Sequence, residues 1–274
     1  MKYKEEDTIL YVDKLSVGYG NKTIIKDVSF TEKNIVREGH ESTGQVIAFL
    51  GRSGRGKSTL FKALTGLVKP TDGKILITDL TSKDSSDAKE VSEGDIGFVD
   101  QKYTLFRHKT VTQICNYALR NINNISKAEK VELINKYLSE WGLMEQKDKY
   151  SCELSGGQRQ RTAIIEQMLA NKHFMIFDEP FSGLDVGNID KVKTSFERIT
   201  NANEYNTIIF STHDIKLAVE LADSIYVVGF PEGVTDYSTI VKHYDLKAMG
   251  LAWTEYGEGH RSLFTDIKKT LLRS

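Results

Sequence analysis

Long apolar runs are missing from this chain of 274 residues. No stretch approaches the roughly 18 residues that a bilayer-crossing helix needs. The opening Met1-Lys2-Tyr3-Lys4-Glu5-Glu6-Asp7 has no apolar core, so it does not read as a secretory signal. Cysteine is scarce: Cys115 and Cys152 are the only two, which excludes a disulfide framework and a cysteine-rich zinc site. The six histidines are scattered, with no H-x-x-x-H pair. Nor is there an excess of one charge. Lys and Arg number 37 against 38 Asp and Glu, a net charge of −1, so non-specific nucleic-acid binding has no electrostatic support. Internal repeats and coiled-coil heptads are also absent. What remains is a globular chain of one large or two small domains, expected in a reducing cytosol and able to bury roughly 70–75% of its unfolded surface.

Glycine, by contrast, is concentrated where it counts. Gly51-Arg52-Ser53-Gly54-Arg55-Gly56-Lys57-Ser58-Thr59 has the spacing G-x-x-x-x-G-K-[ST]. It follows the apolar run Val46-Ile47-Ala48-Phe49-Leu50 and opens a segment with helical periodicity that Gly66 can stop. Strand, glycine-rich loop and helix in that order form a phosphate cradle. Backbone N–H groups converge without side chains in the way, and the helix start adds partial positive charge. Lys57 is expected to reach the β- and γ-phosphates of a nucleotide, and the Ser58 hydroxyl to meet Mg²⁺.

Along the rest of the chain, residues 9–12 and 24–30 read as strands around the turn at Gly18-Tyr19-Gly20-Asn21. The polar stretch 31–45 reads as a loop or a hairpin with a long tip, and 81–93 as a surface loop. Residues 74–78 and 95–99 read as further strands. From about 103 to 158 the period turns helical and no strand candidate occurs. Ser126-Lys127-Ala128-Glu129 has the form of a capping box, Val131, Ile134, Leu138 and Trp141 share a helical face, and Gly142 ends it. Strands return at 173–177, 207–211 and 225–228, separated by helical stretches. This alternation predicts an α/β fold with a mostly parallel sheet whose functional groups gather at the carboxyl ends of the strands. The tail, 235–274, has basic residues at Lys268, Lys269 and Arg273 and carries no assignment.

Leu154-Ser155-Gly156-Gly157-Gln158 is the second informative stretch, a glycine pair opening a helical run to Leu169. A glycine-rich turn at a helix start would account for its glycines alone. With Lys57 about a hundred residues upstream and Asp178-Glu179 downstream of an apolar strand, the order resembles that of the ATP-binding cassette (ABC) ATPases, over about residues 10–228. The resemblance implies one P-loop NTPase domain over 1–274, with an N-terminal antiparallel β subdomain and a helical subdomain inserted at about 103–158. It also implies roles for single residues. Asp178 is similar to the carboxylate that holds Mg²⁺ through water, and Glu179 to the general base, the alternative being a solvent-facing acid. Gln101 resembles the metal- and water-contacting glutamine, and His213 the histidine at the γ-phosphate, the alternative being an ordinary surface or core histidine. Tyr19 would stack on adenine or simply cover the sheet as a turn aromatic. Ser182-Gly183-Leu184-Asp185 resembles the loop that links the two sites of a dimer.

In the family, Ser155-Gly156-Gly157-Gln158 of a second subunit closes the site, so that ATP is sandwiched in a head-to-tail homodimer or heterodimer. Tyr103-Thr104-Leu105-Phe106-Arg107-His108-Lys109-Thr110-Val111 is most similar to importer subunits of the nitrate, sulfonate and taurine branch. The implied partner is an integral membrane permease, with this chain peripheral on the cytoplasmic face and no nucleic acid involved. Three features depart from the pattern: Arg107 in place of proline, a longer 31–45 segment, and Arg55 in place of a small residue. A non-transport ABC ATPase acting on ribosomes or nucleic acid is the competing expectation. Such proteins carry two cassettes or a long coiled coil between the glycine motifs, and this chain has neither. A binding-only regulator is the third, opposed by the presence of Glu179 and His213.

Overall fold

The computed structural model describes residues 3–37, 44–79, 87–122, 125–170, 172–184 and 186–274. They form two compact units, one made of 1–96 with 173–274, the other of 97–172.

The first unit is built from two sheets. Strands β1 (Tyr3–Tyr19) and β2 (Lys22–Arg37) form a long antiparallel hairpin. Leu10, Val12, Leu15, Val17, Ile25 and Val28 turn inward from it. After β3 (Gln45–Leu50) and helix α1 (Lys57–Leu64), β4 (Asp72–Thr78) and the short β5 (Ala88–Glu90) complete that antiparallel sheet in the order β2-β1-β4-β5. The second sheet is mostly parallel. Its strands in this unit are β3, β7 (Phe174–Phe177), β8 (Thr207–Thr212), β9 (Ser224–Gly229) and β10 (Thr239–Asp245), in the order β10-β9-β3-β8-β7. Every residue of β3, β7, β8 and β9 is buried, as expected of strands covered on both faces. Helices α5 (Val186–Ala202), α6 (Ile215–Leu221) and α7 (Glu258–Arg273) pack on this sheet, α6 against β3 and α7 against α6 and β9.

The second unit holds the short strand β6 (Gly97–Val99) and helices α2 (Val111–Ala118), α3 (Lys127–Glu140) and α4 (Gly156–Leu169). All three helices start with a reciprocal capping box, at Thr110 with Gln113, Ser126 with Glu129 and Ser155 with Gln158. Ile114, Ile134, Leu138, Ile164 and Ile165 form its core.

Three expectations need correction. The segment after Phe30 is not a loop from Thr31, since β2 runs to Arg37. Its polar residues hide an alternation in which Glu32 and Asn34 point inward and are satisfied by the Tyr226 hydroxyl and by Glu6. Only the tip of that segment, 38–43, lies outside the described residues, as do 81–86 of the expected 81–93 loop, whose later part includes β5. Val131 shares a helical period with Ile134 and Leu138 but is 48% exposed, so the buried stripe of α3 begins only at Ile134. The unassigned tail is regular: β10 pairs with β9, and α7 buries His260, Leu263 and Ile267.

Candidate active site

β3, β8 and β7 lie side by side and parallel, with Leu50 opposite Thr212 and Phe177 opposite Phe210. Their carboxyl ends therefore present the 51–56 loop, the 211–213 segment and Asp178-Glu179 on one edge. The loop turns into α1 at Gly56, whose φ of +80° is left-handed, and an added Cβ there would press on Ile24 and Ile25 at 2.9 Å. Only glycine serves at that position. The same contact sets the β1–β2 hairpin against the loop. Tyr19, at the hairpin tip, is half exposed.

Lys57 opens α1 and is almost wholly buried. Its Nζ donates to the carbonyls of Gly51 (2.6 Å) and Arg52 (3.4 Å) and lies 3.4 Å from Glu179 Oε1. The other Glu179 oxygen meets His213 Nδ1 at 3.0 Å. Lysine, glutamate and histidine, drawn from three separate segments, thus form one chain. Ser58, the next residue of α1, is exposed beside it, as are Arg52, Ser53 and Gly54.

Asp178 is buried, and its Oδ1 accepts from Ser211 Oγ at 2.6 Å. Ser211 Oγ in turn accepts from the Glu179 N–H at 2.8 Å, and the Glu179 carbonyl takes the Ser182 N–H at 3.1 Å. These bonds hold Glu179 at φ +50°, a left-handed conformation that costs a non-glycine residue roughly 1–3 kcal/mol. Sequence reasoning missed Ser211. Its only signal in the sequence is a hydroxyl residue directly after the apolar run Ile208-Ile209-Phe210; the structure buries it fully.

The remaining expected residues belong to other segments. Gln101, exposed after β6, and Ser155 to Gln158, at the start of α4, belong to the second unit. Ser155 and Gln158 cap α4 through each other, which explains their spacing without a ligand. Capping does not explain Gly156: an added Cβ would meet nothing within 4 Å. Asp185 lies outside the described residues.

Residues 40–182 match the family model described as ABC transporter. The arginine transport ATP-binding protein ArtM of Bacillus subtilis is 35% identical over 218 residues, covering 79% of this chain and 86% of its own length. The sulfate/thiosulfate import ATP-binding protein CysA of Synechococcus elongatus is 33% identical over 82% of this chain, which spans only 61% of that longer relative. Among solved structures, cbiO1 from Clostridium perfringens, part of the transporter complex cbiONQ, superposes with a TM-score of 0.68 at 25% identity. That superposition covers 98% of this chain and 96% of that one. The chain belongs to the ABC transporter family, as one of its ATP-binding, ATP-hydrolysing subunits.

Proposed function

We propose that the chain drives solute uptake through a separate membrane permease, by hydrolysing MgATP between two copies of itself or between itself and a related subunit. The observation that carries the reading is the Lys57–Glu179–His213 chain at the mouth of the 51–56 loop. Phosphoryl transfer needs positioning and charge neutralisation more than covalent chemistry. Phosphate oxygens are stronger partners for an ammonium than the carbonyls of Gly51 and Arg52 that it now uses. As Lys57 turns to the γ-phosphate it leaves Glu179, whose carboxylate is then free to take a proton from the attacking water. His213, bonded to the same carboxylate, orients that water and the phosphate. Ser211 keeps Asp178 and the Glu179 backbone in register throughout. Magnesium, when bound, neutralises charge on the β- and γ-phosphates, and Ser58 and Asp178 are the hard oxygen donors suited to hold it.

Gly156, open to space and free of any packing demand, supports Ser155 to Gln158 as a surface for a second subunit's ATP. Gln101 and Asp185 are assigned to metal and water contact and to communication between the sites. Tyr19 is assigned to the adenine. On this reading 1–274 forms one ABC ATPase domain with the helical unit inserted. Import is favoured because CysA is an import protein, and ArtM and CysA carry different solutes, which leaves substrate choice to other subunits. No helix among the described residues is long and apolar enough to cross a membrane. As the partner of a permease, the chain would work from the inner membrane face. There Phe106, Tyr117 and Tyr150 offer exposed rings, with Arg120 stacked 3.9 Å over Tyr117. They would receive the permease.

Glu179→Gln tests the mechanism. It keeps size and hydrogen bonding but removes the base, so hydrolysis should fall by about 10²–10⁴ while ATP binding persists. A variant that hydrolyses at the wild-type rate would remove Glu179 from the mechanism.

A further inference from the structure

Arg55 has no part in the chemistry above, yet it is half-buried and its side chain is held, unlike the exposed Arg52 and Ser53 beside it. Gly54 and Gly56 flank it, both at φ +80°, so the backbone on either side is the freest the chain can make. The Arg55 side chain supplies the anchor. Its guanidinium lies 3.7 Å over the ring of Phe230, just past β9, and its Nη2 donates to the Ser274 carbonyl at 3.3 Å. Ser274, following α7, rests directly on Gly229, where an added Cβ would collide with the Cβ and Oγ of that serine. The rest of α7 is secured independently by buried Leu263 and Ile267 and by Asp266, which accepts from Lys242 (2.7 Å) and Tyr244 (2.8 Å). Its last turn, however, borders a cavity of about 860 Å³ lined by Phe230, Thr270, Arg273 and Ser274. Ser274 can therefore be displaced toward that space without unseating the helix.

We propose that Arg55 is a positioning residue for ATP binding, clamped between Phe230 and Ser274 so that the end of α7 holds the phosphate loop in its receiving shape. The inference rests on the nucleotide-site reading given above. With the clamp closed, the loop N–H groups are preorganised and binding does not have to order them. With the clamp open, Gly54 and an untethered Arg55 must be ordered by the nucleotide itself.

Gly229→Ala opens the clamp without touching the loop. Gly229 lies in a strand and its φ is not left-handed, so alanine is tolerated by the backbone and only Ser274 is displaced. Equilibrium titration of the full chain with a fluorescent ATP analogue and Mg²⁺ should show Kd raised about three- to tenfold. Adding Ser274→Gly removes the colliding atoms, keeps the accepting carbonyl, and should restore the wild-type Kd. Phe230→Leu, which keeps bulk but removes the ring face, should weaken binding in the same way at an unchanged melting temperature. Wild-type binding with no change in Gly229→Ala, or with no recovery in the double variant, would overturn the clamp alone. A wild-type chain that bound no ATP would overturn the nucleotide-site reading and the clamp with it.

Discussion

Lys57 is the residue on which the site turns. It is buried, it holds two loop carbonyls and it faces Glu179. Lys57→Ala removes the main protein cation for the phosphates and leaves the Glu179 carboxylate facing them uncompensated. ATP affinity should fall by at least about tenfold, since a charge-assisted bond is worth roughly 1.5–3 kcal/mol. Unchanged affinity in an equilibrium titration would count against the phosphate-cradle assignment.

Glu32 gives a second test, away from the chemistry. Burial raises its pKa from 4.5 to about 7, against the opposing pull of Lys247 and of hydrogen bonds from Tyr226 and Ser224. The folded value lies above the unfolded one, so the native state holds the proton more tightly. The stability this contributes is complete below pH 4.5 and is lost as pH rises through about 7. Glu32→Gln can still accept from Tyr226 and does not titrate. Relative to it, the wild type should lose about 1–3 kcal/mol over that window, measured by denaturant unfolding at several pH values. A constant difference across the window would mean that Glu32 is ionised in the fold throughout. Lys57, Asp178, Glu179 and His213 were legible because each sits at a fixed offset from a glycine motif or a strand end. Ser211 and Glu32 were not, because their partners lie 33 and 194 residues away.

Among elements, helix starts were the most readable, since a capping box is a contract between residues three apart. Ser126 and Glu129 fulfil it at both ends. Val131 misled because helical period tells which residues share a face but not how far along the helix its neighbours extend. β2 misled in the opposite sense, as inward Glu32 and Asn34 masked a strand whose other inward residues are apolar. The 106–120 segment carries an element-scale prediction. Phe106 and Tyr117 pack edge to face at 5.0 Å, His108 sits 6.0 Å from Phe106, and the two rings of Phe106 and Tyr117 remain over a third exposed. Partly exposed rings add little to the fold, so Phe106→Ala with His108→Ala should leave the melting temperature nearly unchanged. Co-purification with a membrane partner should be lost. A large drop in melting temperature with no partner to lose would instead favour an ATPase of a soluble machine.

For the whole molecule, the decisive quantity is association state. In the Glu179→Gln background, turnover is blocked while Lys57 and Ser58 still hold MgATP. Two chains should then close on two nucleotides and sediment as a dimer only when ATP is present. Ser155→Arg added to that chain should return it to monomer by filling the receiving surface with a bulky side chain. A Glu179→Gln chain that binds ATP yet stays monomeric, alone and with its partner, would remove the two-site sandwich.

The sequence alone was enough for the family, the parallel sheet and the phosphate loop, because each depends on short-range order: apolar runs, glycine spacing and residues next to strand ends. Tertiary structure decided what depends on distant segments meeting. The pairing of β7 with β8 brings Ser211 to Asp178 and Glu179, and the stacking of β3 beside β8 brings Lys57 within reach of both Glu179 and the His213 segment. The packing of α7 carries Ser274 across 219 residues to Arg55. No local pattern encodes such contacts, since they arise only when buried strands align and their ends come to lie together.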